Sequence, residues 1–309
     1  MQIILERLAL LNAAIKRSTK IDSYRVFHGR GRCFPDLEFI TIDYYQPVIL
    51  ITLFAEPPVN VVAELQAYIS REFENGTTLL LQRRYLQGAP SEILLGSLPE
   101  EVFARRGALV FNLHLARQQN SGFFLDIEPA RQWLEQQAAG KRVLNLFAYS
   151  CAFSLVAIAA GAEKVVNVDM SSAALNLGRD NHRLNGLPKE RSEYLAENIL
   201  KSWSRIKKRG PYDLVIIDPP SYQKGSFIAH KDYAKVVRRL PELMPEGGLV
   251  LACLNAPELS ESFLREQFAE QCPSAEFMER LEPHAGFPDV DPEQQLKLLV
   301  YKVTADRRV

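Results

Sequence analysis

Apolar residues recur at spacings of three and four through Ile4, Leu5, Leu8, Leu11 and Ile15, which puts them on one face and predicts a helix over residues 2–18. The period then shortens. Residues 23–28, 37–45 and 48–54 are rich in β-branched and aromatic side chains, with a Gly-Arg-Gly-Arg turn at 29–32, and read as hairpin-like strands. Pro57-Pro58 precede an amphipathic helix over 61–73 that ends near Asn75-Gly76, and 77–81 reads as a further strand. Residues 1–105 are therefore expected to form a small α+β domain.

From Gly107 the pattern changes, and 106–309 reads as a second domain. Residues 108–113 form a strand and 121–126 a second short extended piece, which leads into a helix over 129–139. Strand candidates at 142–146, 164–169, 192–195, 213–217, 248–253, 276–281 and 296–303 then alternate with helices at 153–160, 172–185, 234–243 and 258–271. Such alternation defines an α/β fold with a doubly wound, Rossmann-like sheet of seven strands. The last two strands have no helix between them and should pair antiparallel at one edge. Neither an internal repeat nor a low-complexity tract interrupts the chain.

Composition narrows the class. The 309 residues are 47% hydrophobic, enough for a sizeable core in one large or two ordinary domains. No run of 18 apolar residues suggests a membrane partner, and the first residues lack the pattern of a signal peptide, so a cytoplasmic location is expected. Cys33, Cys151, Cys253 and Cys272 are scattered, which argues against a zinc site or a disulfide framework. The 37 basic and 37 acidic residues cancel, excluding a globally basic nucleic-acid binder but not a local patch. Residues 1–40 carry Arg7, Lys16, Arg17, Lys20, Arg25, Arg30 and Arg32 against Glu6, Asp22, Asp36 and Glu38, and basic clusters recur at Arg83-Arg84, Lys207-Lys208-Arg209 and Arg238-Arg239, which individually read as solvated faces.

Candidate chemistry lies at the strand ends. Asp218-Pro219-Pro220-Ser221-Tyr222 follows a largely apolar run, where a carboxylate and two prolines end the strand and stiffen a loop at its carboxyl edge. Taken alone, the tripeptide is equally a plain turn. Residues 148–152 form the loop after the first strand of the series, where backbone N–H groups can approach a ligand; it contains no glycine, so a dinucleotide fingerprint is absent. Asp169 ends the second strand, 24 residues after Asn145, where its carboxylate can accept both hydroxyls of a ribose or cap the helix behind Ser171-Ser172. Glu197-Asn198 follow the third strand, facing either an adenine edge or solvent.

Together these stretches resemble a class I S-adenosylmethionine-dependent methyltransferase, and more closely the bacterial large-subunit ribosomal RNA methyltransferases that modify cytosine C5 or guanine. The resemblance rests on residues 24–29, 120–126 and 143–149, on the Asn-x-x-Leu-Asn-Gly-Leu pattern at 181–187, and on Asp218 to Tyr222. It implies that the methionine part of S-adenosylmethionine sits near Phe124, Asp126 and the 147–152 loop with Phe147, Ala148, Tyr149 and Ser150, and that Asn145 also belongs to the cofactor site. It implies further that Asp169 holds the ribose, that Glu197 and Asn198 line the adenine side, that Met170 also belongs to the cofactor site, and that Asp218 lies next to the transferable methyl. Many relatives have Thr-Gly-Gly where this chain has Ser150-Cys151-Ala152, a departure that bears on cofactor affinity. Some members carry a small RNA-binding domain ahead of the matched region; here contacts to RNA, ribosomal by the resemblance, are expected from residues 1–105.

The acceptor atom decides what else is needed. A base nitrogen attacks a sulfonium methyl with little help beyond alignment, whereas cytosine C5 requires prior addition of a Cys thiolate. The family's cytosine methylators have that cysteine two residues beyond Cys253, where this chain has Asn255, a displacement of roughly 6 to 7 Å along a strand. A nitrogen acceptor is therefore favoured, with Asp218, Pro219, Pro220 and Tyr222 as the catalytic loop and Tyr222 stacking on the base. Lys224 and His230 follow in that loop without an assigned role. The other readings are a C5 methyltransferase using Cys253, a methyltransferase for a small molecule or protein, and a non-catalytic binding module.

Overall fold

The computed structural model describes residues 1–115, 121–223, 225 and 227–304. Its contacts divide the chain into two compact units, Met1–Leu125 with Ala285–Asp291, and Asp126–His284 with Pro292–Val309.

In the first unit the apolar face of helix α1 (Gln2–Arg17) buries Ile4, Leu8 and Leu11. Strands β1 (Tyr24–His28), β2 (Ile40–Tyr45) and β3 (Val48–Leu53) run antiparallel in sequence order. Helix α2 (Val61–Glu72) then crosses back so that β4 (Thr78–Arg83) lies parallel to β3, and β5 (Ser91–Leu95) closes the five-stranded sheet antiparallel to β4. Every residue of β2 and β3 is buried, which is why these segments read as near-continuous apolar runs. The half-exposed β5 has no such run and was not legible. A hairpin of β6 (Val102–Arg106) and β7 (Leu109–Leu113) follows. It is tied to the start of β1, with the N–H of Ser23 donating to the Arg105 carbonyl at 2.9 Å and the N–H of Gly107 to the Asp22 carboxylate at 2.8 Å. These ties carry the first unit on to Leu125, beyond the division at residues 105–106 that composition suggested. The 121–126 segment is not a strand: Gly122 has φ +107°, outside the extended region.

The second unit opens with α3 (Glu128–Gln137), in which Pro129 occupies the first turn, where its missing N–H costs nothing. The alternation then unfolds through β8 (Arg142–Leu146), α4 (Ala152–Ala159), β9 (Lys164–Asp169), α5 (Ser172–Leu184), β10 (Ser192–Ala196), α6 (Trp203–Lys207) and β11 (Leu214–Ile217), as expected except for the short α6, which the sequence pattern did not indicate. Two very short strands, β12 (Tyr222–Gln223) and β13 (Phe227–Ile228), pair antiparallel beyond β11. Helix α7 (Ala229–Val237) follows, then α8 (Leu240–Leu243), then β14 (Leu249–Leu254), α9 (Glu261–Gln271), β15 (Ala275–Arg280) and β16 (Lys297–Val303). The single helix expected at 234–243 is divided because Pro241 cannot donate within a continuing helix and instead opens a new one.

The seven strands lie in the order β10-β9-β8-β11-β14-β16-β15. The first five are parallel, while β16 runs antiparallel to both β14 and β15, so the antiparallel pair expected at one edge is present. Sequence order reverses between β8 and β11, the switch point at which the loops beyond two neighbouring strands diverge and leave a crevice. Register aligns the ends: Leu146 pairs with both Val168 and Ile217, and Ala196 with Asp169. Phe147, Asp169, Glu197 and Asp218 thus all emerge at the same carboxyl edge.

Candidate active site

The loop after β8 turns without glycine by placing Phe147, Tyr149 and Cys151 in the left-handed region, with φ of 60°, 46° and 60°. Left-handed backbone costs an ordinary residue about 1 to 2 kcal/mol, and such strain persists where surrounding contacts impose it. Those contacts are on hand. The N–H of Tyr149 donates to Asp169 Oδ2 at 2.9 Å, that of Ala148 to the Val168 carbonyl at 3.1 Å, and that of Cys151 to the Ala148 carbonyl at 2.7 Å. Three N–H groups expected to face a ligand are therefore bonded inside the protein. Cys151 is fully buried against α5, where a Cβ on Gly178 would come within 2.4 Å of its Sγ. The close approach of loop and helix is thus met by a glycine on the helix, not in the loop.

Asp169 is half-buried at the end of β9, and its second oxygen accepts the N–H of Ser171 at 2.8 Å. Ser171 rather than Asp169 caps α5, its hydroxyl accepting from Ala174 at 3.1 Å. A carboxylate offers about four lone-pair sites; with two filled by N–H groups, the others remain for the hydroxyls of a ribose, so the residues here fit a ribose-bearing ligand. Met170 beside it is 46% exposed, an apolar surface open to a ring. Glu197 donates its N–H to the Asp169 carbonyl at 2.9 Å, while its carboxylate accepts from Ser202 at 3.0 Å and pairs with Arg205. Asn198 opens the short turn Ile199–Lys201.

Asn145 is placed differently from expectation. It is 1% exposed, and its amide donates to Asn167 at 2.9 Å within the interior of the sheet. Asn167 in turn donates to Ser154 at 3.0 Å, and Ser154 meets His182 at 3.0 Å. Its Oδ1 is buried without a hydrogen-bond partner among the described residues, so only one end of this amide is engaged by the sheet.

Asp218 leaves β11 half-buried, Pro219 is buried behind it, and Tyr222 is 64% exposed on β12. Burial pushes the Asp218 carboxyl up to about 7, the neighbouring Asp126 carboxylate adds to the shift, and Arg131 opposes it. Arg131, 1% exposed on α3 with Glu128 at 3.3 Å, was not singled out from sequence. Its signal was there, an Arg three residues after a Glu on the helix that follows Asp126. His284, held below its ordinary pKa by burial, senses Glu128, Asp126 and Arg131 as well. Phe147 packs edge-on against Phe227 at 4.9 Å, bracing the two loops that flank the crevice. Cys253 is fully buried; burial first, then Asp218 and Asp126, raise its thiol far above the ordinary range. Phe124 belongs to the first unit and is 43% exposed. Asn120 and Lys224 lie outside the described residues, and His230 is exposed at the start of α7.

A parallel-led seven-stranded sheet with an antiparallel edge, a carboxylate at the end of its second strand and Asp-Pro-Pro at the end of its fourth define a nucleoside-cofactor enzyme of the methyltransferase class. Residues 24–302 match the model of the S-adenosylmethionine-dependent methyltransferase family, and the chain belongs to that family. It is 28% identical over 282 residues to the ribosomal RNA large subunit methyltransferase I of Photobacterium profundum, which covers 87% of this chain and 70% of the relative. It is 31% identical over 274 residues to a ribosomal RNA large subunit methyltransferase of Deinococcus radiodurans, covering 84% and 66%. A protein assigned as a methyltransferase and solved in complex with SAH superposes with a TM-score of 0.84 at 26% identity, over 97% of this chain and 81% of that one. The chain spans about two thirds of the length of these two curated relatives. Its cofactor is S-adenosylmethionine.

Proposed function

We propose that the protein methylates a base of RNA, specifically ribosomal RNA in the cytoplasm, at a nitrogen atom. Among the described residues no helix is long and apolar enough to cross a membrane. The observation that carries the reading is the Asp218 carboxyl, half-buried at the crevice with its pKa near 7, next to two prolines and an exposed tyrosine. The RNA part draws on the names of the curated relatives.

When bound, S-adenosylmethionine supplies an electrophilic methyl group on a sulfonium. Asp169 holds the ribose, Met170 meets the adenine face, and Glu197 with Asn198 closes the adenine side. Tyr222 stacks on a base drawn out of the RNA. Pro219 and Pro220 stiffen the wall against which the base is aligned, since positioning supplies much of the barrier reduction in such a transfer. Asp218 accepts a hydrogen bond from the acceptor amine and takes up the proton that the nitrogen releases, a task suited to a carboxyl poised near neutral pH. A carbon acceptor is disfavoured because the Cys253 thiol is buried beside two carboxyls, the opposite of the electropositive setting that makes a thiolate.

The test is methyl transfer from labelled S-adenosylmethionine to total RNA, followed by nucleoside analysis. Label in an N-methylated base is the expected result. Label in 5-methylcytosine that vanishes in Cys253→Ala overturns the nitrogen assignment, and label found only in protein or small molecules overturns the RNA assignment.

A further inference from the structure

The Gly29-Arg30-Gly31-Arg32 turn after β1 alternates two glycines with two arginines, and backbone pins both glycines. A Cβ on Gly29 would stand 1.7 Å from the Leu37 carbonyl oxygen, and one on Gly31 would stand 1.7 Å from the Pro288 carbonyl oxygen. The Gly31 carbonyl also accepts the N–H of Val290 at 2.9 Å. Held this way, the turn presents Arg30 and Arg32 at the surface. Arg32 is met by Asp289 at 3.1 Å.

Arg30 is situated otherwise. Its guanidinium lies 4.2 Å from the centre of the Phe54 ring, and the guanidinium of Arg84 lies 5.3 Å from the same ring. Among the described residues neither Arg30 nor Arg84 has a carboxylate partner. Burial first, and then the neighbouring charge, hold both below their ordinary pKa: Arg25 acts on Arg30, and Arg30 on Arg84. Two cations gathered on one aromatic ring repel each other, and an anion placed between them removes the repulsion while gaining charge-assisted hydrogen bonds from two planar forks. His28 nearby is pushed down to about 4, by burial and then by Arg25 and Arg30, so it stays neutral and the charge at this place is that of the arginines.

We propose that Arg30, Phe54 and Arg84 form a binding site for the backbone phosphates of RNA. The proposal rests on the reading of the protein as an RNA methyltransferase and names the place in the first unit that holds the strand. RNA fits better than an acidic peptide because the substrate proposed for this protein is RNA, whose backbone carries a phosphate at every nucleotide for the two guanidinium forks.

The experiment measures binding of a short fluorescent single-stranded RNA of mixed sequence to the full chain across a range of salt. Loss of two phosphate contacts in Arg30→Gln/Arg84→Gln should lower the slope of log K against log salt by about 1.4, at about 0.7 per contact. The charge-preserving Arg30→Lys/Arg84→Lys should keep the slope. Thermal unfolding of both variants should match the wild type and so report an intact fold. An unchanged slope in the Gln variant, or no RNA binding by the wild type, overturns the site. So does variant-sensitive binding of polyglutamate that exceeds RNA binding, which would assign the surface to an acidic protein. Wild-type transfer to total RNA with an unchanged slope removes this site and keeps the enzymatic reading; a reduced slope without transfer removes the enzymatic reading and keeps the site.

Discussion

The carboxylate of Asp169 accepts the N–H of Tyr149 at 2.9 Å through one oxygen and that of Ser171 at 2.8 Å through the other. The residue proposed to hold the ribose therefore also fixes the strained loop after β8. In Asp169→Asn, one oxygen is replaced by an NH2 that cannot accept, so one backbone N–H loses its partner. Stability should fall by about 1 to 2 kcal/mol and cofactor affinity by about tenfold or more, read by thermal unfolding and calorimetry. Retention of full affinity would remove Asp169 from the cofactor site.

Asp218→Asn keeps the shape of the loop and deletes the proposed proton acceptor. The rate of transfer should fall by about 100-fold or more, with cofactor binding nearly unchanged. For the wild type, the rate should rise with pH through about 7 as the carboxyl ionises. Stability should move the other way. The folded-state pKa lies above the ordinary 3.8, so between about pH 4 and pH 7 the native state binds more protons than the unfolded chain, and stability falls as pH rises through that window. At pH 8 the Asn variant should be the more stable protein, by on the order of 2 kcal/mol, and below pH 4 the difference should vanish. Denaturant titrations at three pH values check this.

Tyr222 is 64% exposed, so truncating it costs little folding energy. Stacking on a base is worth about 1 to 3 kcal/mol. Tyr222→Ala should therefore raise KM for RNA about tenfold, while Tyr222→Phe, which keeps the ring, should behave as wild type.

Cys253→Ala should lose about 1 kcal/mol of stability through the small void it leaves, and transfer should continue within about threefold of the wild-type rate. RNA carrying 5-fluorocytidine should form no covalent adduct with the wild-type protein. An adduct would establish the thiol as a nucleophile despite its burial.

The close approach of Gly178 to Cys151 invites a size exchange. Gly178→Ala alone should destabilise by about 1 to 3 kcal/mol through overpacking. Adding Cys151→Gly, which vacates the space and relieves the left-handed backbone, should recover most of that loss in urea unfolding. Additive effects would show that the two positions do not interact.

Much of the second unit was legible because β9, β11 and β14 are largely apolar runs closed by a polar residue, and Asp169 and Asp218 announce themselves as carboxylates where such runs stop. The loop after β8 was harder. Sequence rules expect glycine wherever φ is positive, and Phe147, Tyr149 and Cys151 adopt that conformation only because Asp169, Val168 and Gly178 lie around them, contacts no local pattern reveals. The partner of Asn145 could not be read for a related reason: Asn167, which its amide meets, lies on the adjacent strand. Arg131 and the Arg30–Phe54–Arg84 cluster were invisible as units, since residues far apart in the chain meet only after the sheets form.

The Asn145–Asn167 pair also bears on how the chain reaches this fold. The two residues occupy matching positions on the parallel strands β8 and β9, with an amide-to-amide bond of 2.9 Å inside the sheet. Sliding either strand by one step would strand both amides among valines and leucines, at about 1 to 3 kcal/mol for each unmet group. The pair works as a tongue and slot: it adds little to the strength of the joint, but it admits the two strands in a single alignment, and so sets the edge at which every catalytic loop must end.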